Sequence, residues 1–66
     1  MDAVNAPAQE MSFEQFKTVL KGNLTALVGE NQASQLMTEY SEDLPRFYAE
    51  DWTVAALSPG MIWHFL

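Results

Sequence analysis

The chain of 66 residues has no cysteine, one histidine, and only three cations, Lys17, Lys21 and Arg46. Each shortage excludes something. Without cysteine no disulfide can staple a small fold, and one imidazole without thiols cannot assemble a Cys/His zinc site. Three cations are too few to neutralise the phosphates of a nucleic acid or to hold an anionic membrane surface. Gly22, Gly29 and Gly60 are too far apart for a phosphate-cradling loop. The longest weakly polar stretch, residues 52–66, is interrupted by Ser58-Pro59-Gly60 and falls short of the ~20 apolar residues that cross a bilayer. Met1 to Pro7 places an acid where a secretory leader needs a base, and no apolar core follows, so a cytoplasmic location is expected.

Against those absences stand nine carboxylates, a formal net charge of -6, and a 48% share of hydrophobic residues. A domain of this length buries only about 60% of the surface its unfolded chain exposes, and the per-residue average gives it a stability of roughly 3–10 kcal/mol. Small scaffolds add disulfides, a metal or a partner chain to such a core. Here the partner chain is the support left. The charge is also segregated: every Asp, Glu, Lys and Arg lies between Asp2 and Asp51, whereas ten of the fifteen residues from Trp52 to Leu66 are apolar.

The pattern predicts an all-α fold. Residues 1–11 mix Ala, Asn and Pro without apolar periodicity and read as a flexible lead to a single helical domain over 12–66. Ser12 followed by Gln15 is a capping box, with Met11 and Phe16 as a hydrophobic staple. A first helix is therefore expected at about 13–28, with Phe13, Phe16, Leu20, Leu24 and Leu27 along its apolar stripe and Val19 and Val28 beside it. Gly29 ends it in a left-handed conformation. Asn31 is the expected cap of a second helix, about 32–43, with Ala33, Leu36, Met37, Tyr40 and Leu44 at helical spacing. Pro45 stops that helix and starts a short third one to Glu50, capped by Asp43 or Leu44. Thr53 and Ser58 are candidate caps for further short helical segments around Pro59, with Gly60 favouring a break between them.

Few groups offer chemistry. Glu39, Glu42, Asp43, Glu50 and Asp51 crowd into thirteen residues, but their spacing matches no cation-binding loop, and a solvated acidic face is the simpler reading. His64 stands between Trp63 and Phe65 with no nucleophile at a recognisable motif, since Ser12, Ser34, Ser41 and Ser58 read as caps or surface residues. Lys17 lies one turn after Glu14 and predicts a weak surface ion pair. No catalytic residue, metal site, cofactor site or small-molecule substrate is expected.

The aromatic tail carries the functional reading. From Met61 to Leu66 five of six residues are apolar, and a helix apolar all round is buried on several sides. Two or three short helices cover only some of them. The expectation is a non-enzymatic module for protein–protein interaction or self-association, as a homodimer or on a larger protein, with Trp52, Leu57, Met61, Ile62, Trp63 and Phe65 as contact surface. Phe13, Phe16, Leu20, Leu36 and Tyr40 form the shared core. Two alternatives remain: an acidic inhibitor that mimics nucleic-acid charge, and a small accessory subunit of a larger enzyme.

Overall fold

The computed structural model describes the backbone of residues 3–65 and the side chains of residues 3–63. Four helices, α1 Phe13–Val28, α2 Glu30–Glu39, α3 Leu44–Ala49 and α4 Val54–Phe65, follow two 3-10 turns at Ala3–Asn5 and Ala8–Glu10. The all-α expectation holds. α1 is the central element, packed most extensively on α2 and then on α4.

The boundaries follow from local chemistry. Ser12 adopts extended dihedrals and its hydroxyl accepts from the Gln15 backbone N–H at 3.1 Å, satisfying one of the orphan donors at the start of α1. Met11 and Phe16 are both buried in the same core cluster, as a staple requires. At the other end Gly29 has φ 93° and ψ 162°. That combination departs from the left-handed helical conformation expected there, and it belongs to a region only glycine populates. The Gly29 N–H donates to the Thr25 carbonyl while its own carbonyl accepts from Ala33 N, both at 2.9 Å. One residue thus ends α1 and opens α2.

That double role corrects the second helix. α2 starts at Glu30, so Asn31 lies inside its first turn rather than capping it. It also stops at Glu39, four residues early, where Tyr40 turns to φ -99° and ψ 10°. Extending it to Asp43 would stack Glu39, Glu42 and Asp43 at the negative end of the helix dipole. Placed instead at the start of α3, Asp43 faces a positive helix end and pairs with Arg46 at 3.8 Å.

The expected break at Gly60 is absent. α4 is continuous from Val54 to Phe65 with Pro59 inside it. Its start is capped by Thr53, whose Oγ1 accepts from Ala56 N at 3.2 Å. A proline in a helix interior costs about 3 kcal/mol through a lost hydrogen bond and a steric clash. Here the ring and Ala55, whose carbonyl loses its donor, are both exposed, so water can reach that carbonyl. Burial of Val54, Leu57 and Met61 on the opposite side contributes about 1.5–3 kcal/mol per side chain and holds the helix together.

The core joins Phe16, Leu20 and Leu24 of α1 to Ala33 and Leu36 of α2, Leu44 of α3, and Val54, Leu57 and Met61 of α4. Phe13 and Tyr40, expected in the core, are half-buried at its edge, and Leu27, expected on the inner stripe, is 57% exposed. The radius of gyration is 10.6 Å, against about 10.8 Å for a compact chain of this length.

The segment expected to be a flexible lead is packed from Ala3 onward. Ala8 and Met11 are core residues, Pro7 forms a bridge with Thr53, and the Tyr48 hydroxyl donates to the Met11 carbonyl. The Tyr48 ring meets Phe13 edge-on at 5.4 Å and Phe16 at 5.6 Å. Apolar periodicity could not find this segment, because it has no regular apolar stripe and several of its contacts are hydrogen bonds to residues about forty positions away.

Candidate functional site

An open groove of about 290 Å³ runs between the α2–α3 corner and α4, lined by Tyr40, Phe47, Trp52, Ala56, Leu57, Gly60 and Met61. One wall is an aromatic row. Tyr40 and Phe47 stand 6.3 Å apart, and Phe47 and Trp52 meet edge-on at 6.2 Å. The Arg46 guanidinium lies over Phe47, 5.2 Å from its ring centre.

Trp52 is placed by the way α3 ends. The Trp52 N–H donates to the Phe47 carbonyl and the Asp51 N–H to the Tyr48 carbonyl, with Asp51 at φ 62°. These two bonds around a left-handed residue are the Schellman arrangement, in which the residue after the left-handed one packs on the helix's last turn. Trp52 on Phe47 is that contact. A left-handed non-glycine residue costs roughly 1–2 kcal/mol. Asp51 offsets it by accepting the Gln9 N–H at 2.9 Å, while the Gln9 side chain donates to the Ala49 carbonyl at 2.8 Å. The indole N–H of Trp52 donates to Glu50 Oε1 at 2.9 Å. The amino-terminal segment and two of the acids thereby hold the groove wall.

The other wall is α4, whose two sides differ sharply. Val54, Leu57, Ser58 and Met61 point inward and are buried. Ala55, Ala56, Pro59, Gly60 and Trp63 point outward, and this outer face carries no charge. Ser58 is not a cap. Its side chain is fully buried, and its hydroxyl accepts from the Asn23 amide at 2.8 Å, a polar bond that sets α4 against α1.

The six expected contact residues therefore divide. Leu57 and Met61 are core residues, 4% and 2% exposed, whose edges floor the groove; Ile62 is half-buried against the core. Trp52 is 39% exposed at the groove wall, and Trp63, one turn beyond Gly60, is 84% exposed. Phe65, like His64, lies outside the described side chains. Phe47, Ala56 and Gly60 were not among the contact residues expected from sequence. Only the apolar Phe47 gave any signal, since small exposed residues leave no trace in a hydropathy pattern.

The acidic residues do not gather. Among the described residues no group of three or more carboxylate, imidazole or thiol side chains could hold a metal ion. Asp43, Glu50 and Asp51 each bond to a neighbour within the chain. Lys17 and Glu14 form the expected surface pair at 3.1 Å, and Lys17 also lies over the Phe13 ring. No described helix is long and apolar enough to cross a membrane. No protein-family model matches the chain, and no curated protein and no solved structure matches it either.

Proposed function

We propose that this chain is a non-enzymatic interaction module that docks an apolar side chain of a protein partner in the groove between the Tyr40–Phe47–Trp52 row and α4. The observation that carries the reading is continuity. The apolar groove opens onto an uncharged helix face that ends in an indole 84% exposed. Exposed apolar patches of this kind mark interaction sites, and Trp and Tyr are enriched at the desolvated centres of interfaces. A volume of about 290 Å³ also sits at the lower limit of the roughly 300–1,000 Å³ of small-molecule sites. It suits one large side chain better than a metabolite.

Titration with N-acetyl-tryptophanamide, followed by amide chemical shifts, tests the reading. Saturable shifts confined to the groove residues Tyr40, Phe47, Trp52, Ala56, Leu57, Gly60 and Met61 are expected, at a dissociation constant on the order of 1 mM for so small a ligand. Gly60→Leu should abolish them, because a side chain built at Gly60 points into open space and would occupy the groove without disturbing the core. Shifts that never saturate, or that scatter over the surface, would overturn the docking reading.

A further inference from the structure

We infer that the occupant of the groove is Trp63 of a second copy of this chain, in a two-fold pair of antiparallel α4 helices. The inference rests on the docking reading above and names its partner. At 100° per residue Ala56, Gly60 and Trp63 fall within about 60° of one another around α4, so a hole and a knob lie on one strip. Gly60 and Ala56 line the groove, and Trp63 projects beside it, 84% exposed. A two-fold axis crossing α4 between Pro59 and Gly60 sets Trp63 of one protomer opposite Ala56 of its partner, and the same contact repeats in the other direction. That reciprocity is what an isologous interface demands. The small side chains at the crossing let the two helices approach, and an ideal Cβ at Gly60 meets nothing within 4 Å.

Charge is compatible with the same partner. Each copy carries a net charge of -6, but Val54–Phe65 contains no Asp, Glu, Lys or Arg. Two copies can meet on this face without opposing their carboxylates directly. A partner recognised by charge would instead be basic and would find no acid on the outer face of α4. The area defines the strength. Two indoles and the walls that receive them bury roughly 800–1,000 Å² in total, less than the ~1,200 Å² at which stable interfaces begin. The pair is a weak, reversible dimer with a dissociation constant on the order of 10–1,000 µM.

Sedimentation velocity of the full chain from about 10 µM to about 1 mM reads this directly. The wild type is expected to shift from monomer to dimer, and Trp63→Ala and Gly60→Leu are each expected to remain monomeric throughout. The residual repulsion between like-charged copies is screened by salt, so raising NaCl from about 20 mM to about 500 mM should tighten the dimer severalfold. Trp63→Ala keeps the groove and must still bind N-acetyl-tryptophanamide, which separates the two claims. A wild type that is monomeric at 1 mM while its groove binds the probe overturns self-pairing, leaves docking intact, and makes the occupant a different protein. A wild type that is monomeric and binds no probe overturns both. Dimers that survive both substitutions, or that loosen as salt rises, also overturn the pairing proposed here.

Discussion

The two ends of the chain invert what their sequence patterns suggest. Residues 3–11 are aperiodic and rich in small side chains, yet Ala8 is wholly buried, Met11 nearly so, and Gln9 holds the end of α3 with three hydrogen bonds. Residues 52–63 are the most apolar part of the described chain, yet Trp63 is its most exposed large apolar side chain. Mean hydropathy reports the transfer preference of a segment. Burial depends on which other elements arrive to cover it, and a helix apolar on every side has more faces than this small bundle can cover.

The largest expected effect tests the inner side of the tail. Met61→Ala should lower the unfolding free energy by about 2–4 kcal/mol, the range for truncating a buried Met, read from the midpoint of a urea titration. A loss under about 0.5 kcal/mol would remove α4 from the core. Next comes the bond between α4 and α1. Ser58→Ala strands the Asn23 amide and should cost about 1–3 kcal/mol, with Asn23→Leu added in the same chain restoring part of the loss.

The amino-terminal side of the comparison is tested by Asp51→Ala, which removes the acceptor for Gln9 while keeping a left-handed residue with a Cβ. It should cost about 1–2 kcal/mol. Asp51→Gly relieves the backbone and should fall closer to wild type; equal losses in both variants would mean that the left-handed conformation contributes nothing. The smallest effect belongs to the outer side of the tail. Trp63→Ala should leave unfolding of the dilute monomer within about 0.5 kcal/mol of wild type. A larger loss there would show that the indole packs within its own chain, and the contrast between the two ends would disappear.

Much of the helical framework was legible in the residues. Ser12 and Gln15 mark the start of α1 because a short polar side chain satisfies a free N–H there, and Pro45 marks α3 because a missing N–H is harmless in a first turn. Thr53 works by the same logic for α4. Gly29 was read correctly as a stop and missed as a simultaneous start, since a single positive-φ residue can serve both helices only when their axes allow it. Local rules misjudged Pro59 for a related reason. They price the lost hydrogen bond, but the burial of Val54, Leu57 and Met61 on the opposite side of α4 enters only once α1 and α2 are in place.

The candidate site was legible in part. Its aromatic content was visible, and Trp52 and Trp63 were named; the groove itself was not, because it is a space between elements. Leu57 and Met61 belong to the same apolar run as Trp63, and hydropathy cannot distinguish residues about 120–160° apart around a helix whose every side is apolar. The Schellman ending that carries Trp52 onto Phe47 was hidden as well. Glycine is its usual signal, and Asp51 stands in that position with Gln9 as its distant support.

Sequence alone determined the all-helical class, where three of the four helices begin, and that no disulfide can staple the chain, because capping, proline geometry and the absence of cysteine act within a few residues or on the whole composition. Tertiary structure decided which side of α4 is covered, that the amino-terminal segment docks, and that an aromatic row and a small-residue helix face enclose a groove. Those outcomes depend on contacts between residues tens of positions apart, and no local pattern specifies which face of an all-apolar helix will find a neighbour.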